Sequence, residues 1–261
     1  MNTLATVNDI ENLLTEMTPP SLALDWDNVG LLLGRRENPV RRMLLALDMT
    51  RETVDQAIAF KADILVTHHP AIFHKLSCLT DRDWQQELLL CLAENEIALY
   101  SAHTNLDCSS KGVNAVLAKK LKLTKIEELD QVTGLGRIGY VQGCDLFAFT
   151  EFLKKTLKVD YLVVGNAGKK VHKVAVCGGA GADLIPLAVE KGADTFVTGD
   201  IKYHEAQKAV FSGLNIIDAG HQATELPVLE DWADRISLRL TGKDWNVNVR
   251  VASETLLLKH V

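Results

Sequence analysis

Apolar positions recur along this chain in two alternating rhythms. Over residues 8–17 they fall at helical spacing, with Ile10, Leu13, Leu14 and Met17 on one side, and Pro19 and Pro20 end the run. A compact apolar stretch at 43–47 then reads as a strand, followed by a helix that turns Val54, Ala57 and Ile58 inward. The alternation continues with a strand at 64–66, a helix at 84–94, a strand at 97–101 and a helix at 113–121. Repeated β-α units of this kind predict a mainly parallel sheet with helices on its faces.

Periodicity is interrupted over residues 125–136, where Glu127, Glu128 and Asp130 cluster ahead of Gly134 and Gly136. Beyond it the pattern predicts strands at 137–142, 161–164, 171–177, 195–197, 215–218 and 247–251. Helices are expected at 147–157, 184–191, 204–211 and, as one long element, 223–240. The fold class expected is therefore α/β, as two three-layer domains with mainly parallel or mixed sheets. Residues 1–126 form the first domain and 127–231 the second; pattern alone leaves open whether 232–261 rejoin the first, which is the arrangement expected.

Composition narrows the class of partner. The 261 residues are 47% hydrophobic, which excludes disorder as the main state. A net charge of −6 argues against nucleic acid, whose partners neutralise phosphates. The longest apolar run, 88–93, is too short to span a bilayer, and residues 1–20 lack Lys and Arg, so neither a membrane span nor an export leader is expected. Cys78, Cys91, Cys108, Cys144 and Cys177 form no CxxC pair, which suits reduced thiols in a cytoplasmic protein.

The chemistry concentrates in histidine. Of eight histidines, His68, His69, His103 and His221 fall just past the ends of expected strands, where open α/β sheets bind ligands. Asp107 follows His103 by four residues, and Glu225 follows His221 by the same interval. On a helix that spacing brings side chains to one face, about 5–6 Å apart at Cβ. A lone histidine in such a place is more often a buried structural residue; several together with spaced carboxylates point to metal. Imidazole and carboxylate without thiolate suit Zn, Fe, Mn or Ni. The donors His68, His69, Asp107, His221 and Glu225 exceed what one open catalytic ion takes. They suit two ions roughly 3.5–4 Å apart, bridged by a carboxylate and a water. His74, His172 and His260 are expected to be structural or surface residues.

Two further segments invite chemistry. The glycine-rich run from Cys177 to Asp183 sits where a phosphate loop would, but it lacks the third glycine of the dinucleotide fingerprint and a Walker lysine. A tight strand-to-helix turn is the expected reading. The run Asp200, Ile201, Lys202, Tyr203, His204 offers either a proton donor or anion clamp, or simply a helix cap.

At these residues the chain resembles a known family. The segments are Trp26-Asp27-Asn28-Val29-Gly30-Leu31, Val66-Thr67-His68-His69-Pro70 and His103-Thr104-Asn105-Leu106-Asp107. They continue with Gly134-Leu135-Gly136-Arg137-Ile138-Gly139, Thr198-Gly199-Asp200-Ile201-Lys202-Tyr203-His204 and Gly220-His221-Gln222-Ala223-Thr224-Glu225. Together they are similar to the NGG-interacting-factor-like proteins, also called GTP cyclohydrolase 1 type 2 homologues. The resemblance implies a dinuclear metal centre in a cleft between two similar α/β domains, and a toroidal homohexamer. It implies that His68 and Asp107 hold one divalent ion, His69 and His221 the other, and that Glu225 bridges them. The extra domain inserted in longer relatives has no room here. Cys108, next to Asp107, stands where a small aliphatic is usual and raises a question of redox sensitivity.

The expected function is thus a dinuclear metal-dependent hydrolase acting on a small molecule or nucleotide. The family label implies opening of the purine ring of GTP, with His103 or His204 moving protons. The alternative is a metal-binding, trafficking or scaffold protein without turnover.

Overall fold

The computed structural model describes residues 4–258. The chain divides into two compact units. One runs to Leu106 and resumes over Leu229–Thr255; the other runs Asp107–Val228 and resumes at Leu256.

In the first unit, strand β1 (Ala5–Thr6) leads directly into helix α1 (Val7–Met17). Thr6 and Asp9 cap that helix reciprocally, and Val7, Ile10, Leu13 and Leu14 are its buried stripe. Strand β2 (Gly30–Leu33) follows, then β3 (Pro39–Val40), which pairs with β1, and β4 (Arg42–Ala46). Next come α2 (Arg51–Phe60), β5 (Ile64–Thr67), α3 (Trp84–Glu94), β6 (Ala98–Ser101) and α4 (Thr104–Cys108), within which the unit ends at Leu106. The main sheet has β4, β5 and β6 parallel, with β2 antiparallel beside β6. Leu44, Ala46, Leu65 and Leu99 pack on Val54, Ala57, Leu88 and Leu92 of α2 and α3. The alternate residues Met43, Leu45, Ile64, Val66 and Tyr100 are equally buried on the other face, so these strands carry no polar side and read as unbroken apolar runs.

The second unit contains α5 (Val113–Lys120), β7 (Thr124–Glu128), β8 (Arg137–Cys144), α6 (Leu146–Leu157), β9 (Val163–Gly165) and β10 (Val171–Ala180). It continues with α7 (Ile185–Glu190), β11 (Thr195–Gly199), α8 (Tyr203–Phe211), β12 (Asn215–Asp218) and α9 (His221–Glu225). Its six strands lie in the order β7-β8-β10-β11-β12-β9, parallel among β10, β11 and β12 and antiparallel elsewhere. Val174, Val176, Val197 and Ile217 face α5 and α6, whereas Ala175, Cys177, Phe196 and Ile216 face α7 and α8. Helix α10 (Pro227–Thr241) and strand β13 (Asn248–Val251), which pairs in parallel with β4, close the fold.

Two differences from the pattern have local causes. The expected single helix over 223–240 is divided into α9 and α10, because Pro227 lacks an N–H and begins a new helix. The interruption at 125–136 contains β7, an edge strand whose exposed Thr124, Lys125, Ile126 and Glu127 hide its alternation. The sheets are mixed, one of the two forms expected: β2, β7, β8 and β9 run antiparallel to their neighbours. His260 lies outside the described residues.

Candidate metal centre

Strands β5 and β6 are neighbours with Thr67 opposite Ser101, so the residues that follow them emerge side by side. The rings of His68, His69 and His103 lie 4.8–5.5 Å apart between centroids. One nitrogen from each falls within 4.8 Å of the others. Each ring is oriented through Nδ1. His68 Nδ1 donates to the Ala102 carbonyl at 2.9 Å, His69 Nδ1 to Asp48 at 2.8 Å, and His103 Nδ1 to Asp27 at 2.9 Å. An acceptor at Nδ1 holds the proton there and puts the ring's lone pair on Nε2, the tautomer a metal ligand needs. His68 is wholly buried, while His69 and His103 are half-buried.

Asp27 and Asp48 give these rings their direction. The Asp27 carboxylate also accepts from the Thr104 N–H at 2.9 Å and from its hydroxyl. Burial raises this carboxyl, but the hydrogen bonds from His103 and Thr104 outweigh burial and hold it at about 2. Asp48 follows β4, and its own backbone N–H reaches Glu254 at 3.3 Å. Glu254 also accepts from the Leu47 N–H at 2.6 Å, and burial pushes its carboxyl up to about 7. Sequence reasoning missed Asp48 and Glu254. The signal for Asp48 was available, since it too follows an apolar strand.

The second unit supplies mainly carboxylate. Asp107 lies on α4 and Glu225 at the end of α9; both are buried, and they offer oxygens within 4.8 Å of each other. His221 opens α9, where its Nε2 lies 3.3 Å from Glu225 Oε2 and its Nδ1 donates to Asp200 at 2.7 Å. Asp200 thus orients an imidazole, from a left-handed backbone position at φ 56°. Asn114, fully buried on α5, ties this set together. Its amide donates to the Asp107 carbonyl at 3.1 Å and accepts from the Gly178 N–H at 3.0 Å.

The glycine-rich run also serves this set. Gly178, Gly179 and Ala180 belong to β10, which bulges there against β11. A Cβ on Gly179 would stand 2.3 Å from Glu225 Oε1 and 3.2 Å from His221 Nε2. Only glycine admits the two donors so close, and its φ of +66° would strain most other residues.

The remaining candidates lie elsewhere. His204, on α8, is exposed and within 3.5 Å of Gln207 on its own helix; it belongs to no donor cluster among the described residues. His74 and His172 are exposed. Cys108 and Cys177 are buried, and burial followed by the charges of Asp107 and Glu225 pushes the Cys177 thiol far up. No described helix is long and apolar enough to cross a membrane.

A mixed α/β protein with His, Asp and Glu clusters able to hold metal is the class these features define. Residues 5–256 match Duf34/NIF3 (NGG1p interacting factor 3), and the chain belongs to that family. It is 39% identical over 207 residues to a GTP cyclohydrolase 1 type 2 homolog of Lactococcus lactis subsp. lactis, covering 78% of this chain and 80% of the relative. A homolog of the same name from Clostridium perfringens is 34% identical, covering 90% and 92%. The crystal structure of a Bacillus cereus protein related to NIF3 superposes with a TM-score of 0.93 at 27% identity, covering 99% of this chain and all of that one.

Proposed function

We propose that the two donor sets together hold two divalent cations and that the protein is a metal-dependent hydrolase. His68 and Asp107 would hold one ion and His69 and His221 the other, with Glu225 shared between them, as the family resemblance implies. The observation that carries this reading is the common anchoring of His68, His69 and His221 through Nδ1, which presets the metal-binding tautomer in each. The donor chemistry fits as well: nitrogen and oxygen only, suited to Zn, Fe, Mn or Ni. Two buried carboxylates with oxygens this close repel one another, and a shared cation removes that cost.

Such cations supply Lewis-acid polarisation of a carbonyl, imine or phosphoryl group and make water more acidic. The chain's own contribution to proton transfer is His103. Its Nδ1–H is held by the Asp27 carboxylate, which leaves Nε2 as the atom that accepts and returns a proton. The names of the relatives support a nucleotide as substrate and hydrolytic opening of a purine ring as reaction. Assembly as a homohexamer belongs to the same proposal.

Metal analysis comes first: two ions per chain are expected, and fewer than one after aerobic and anaerobic preparation overturns the dinuclear reading. With Zn, Fe, Mn and Ni added back in turn, a screen over nucleotides and small esters should give turnover. His68→Ala and Glu225→Ala should abolish metal content and turnover together while circular dichroism stays native. Metal uptake without turnover on any of these substrates selects the trafficking reading instead.

A further inference from the structure

The first unit presents an aromatic pair that its core does not use. Trp26 is 57% exposed and Phe73 is 41% exposed, and neither belongs to the buried cluster beneath α2 and α3. Their rings lie 5.8 Å apart at 49°, and the Trp26 indole meets the edge of His103 at 6.0 Å and 69°. Single exposed apolar side chains need no explanation; a fixed aromatic pair touching a chemically useful imidazole does.

Both rings are held in place. Asp27, next to Trp26, is bound by His103 and Thr104, and on the other side the Leu24 N–H donates to the Thr104 hydroxyl at 3.0 Å. Asn28 donates its side-chain amide to the Ile72 carbonyl, fastening this loop to the one that carries Phe73. The aromatic surface is therefore prearranged beside the imidazoles, with its ordering cost already met in folding.

We propose that Trp26 and Phe73 form a stacking platform for a planar heteroaromatic ring, and so select the class of substrate handled at His103. The proposal rests on the hydrolase reading above for its chemistry, but on the aromatic geometry for its ligand. A flat indole beside a tilted phenyl gains from offset stacking beyond the area it covers, and the gain depends little on the ring's substituents. Saturated sugars and alkyl chains lack a π-face and forgo that gain.

Calorimetric titration tests this with guanosine and nicotinamide as planar probes and ribose as the saturated control. It is run on zinc-loaded protein and on protein stripped by chelator. Planar probes should bind and ribose should not. Trp26→Ala and Phe73→Ala should weaken planar binding about tenfold or more, and Trp26→Phe should retain most of it. Zinc content should be unchanged in all three variants. Equal binding of ribose, no binding of either planar probe, or unchanged affinity in Trp26→Ala overturns the platform. So does a fall in assembly mass with unchanged probe affinity, which assigns the pair to contact with a second copy of the chain. Trp26-dependent binding in a chain that takes up no zinc keeps the platform and removes the metal reading; zinc uptake without it does the reverse.

Discussion

The imidazole set of the first unit and the carboxylate-rich set of the second are built by different means. His69 and His103 are aimed by carboxylates, Asp48 and Asp27, and His68 by a backbone carbonyl, so hydrogen bonds set their direction. In the second set only His221 is aimed that way, by Asp200; Glu225 and the Nε2 edge of His221 occupy space that a glycine strand leaves open, with Asn114 binding the Asp107 backbone to that strand. One set should respond to changes in hydrogen-bond chemistry at constant shape. The other should respond to added volume at constant charge.

Gly179→Ala should break this contrast most severely. The added methyl overlaps Glu225 Oε1, and the left-handed backbone adds strain, so a stability loss of about 2–4 kcal/mol is expected together with loss of metal uptake. Gly168→Ala is the control, since its φ of +75° is similar but nothing lies within 4 Å; chemical denaturation should show only about 1 kcal/mol. Next in size is the pH response of Glu254. Its folded pKa of about 7 lies above the usual 4.5, so its contribution to stability is complete below 4.5 and is lost as pH rises through 7. Across that window wild type should lose up to roughly 3 kcal/mol relative to Glu254→Gln, measured as the difference between their urea curves. A flat difference would show that the carboxyl is not held protonated. Asp48→Asn should have the smallest effect on the fold, because volume is conserved. Metal affinity, read by chelator competition, should fall about 10- to 100-fold as His69 loses its orienting carboxylate. If Asp48→Asn instead unfolds the chain, the distinction between the two sets fails.

Much of this arrangement was legible in the chain itself. Buried strands such as Ile64–Thr67 announce themselves as apolar runs, and the residues after them, His68 and His69, stand out as polar groups at strand ends. The edge strand β7 was not legible, because exposure on both sides removes the alternation that marks a strand. The glycine run could be placed between strand and helix, but its purpose depends on Glu225, which is far along the chain. Trp26 and Phe73 carried no periodic signal, and only their contact with each other and with His103 gives them meaning.

By itself the sequence determined the succession of strands and helices, the kinship, and which nitrogen- and oxygen-bearing side chains are candidate donors. These are properties of local spacing and residue chemistry, which act over a turn of helix or a few strand positions. Tertiary structure alone decided which acceptor holds each Nδ1. Asp48 meets His69 across 21 residues of chain, Asp200 meets His221 across the same span, and Asp27 meets His103 across 76. It also decided that Glu254 would close on Leu47, 207 residues away. Strand order and register bring these partners together, and no local pattern encodes a distance that only the folded sheet defines.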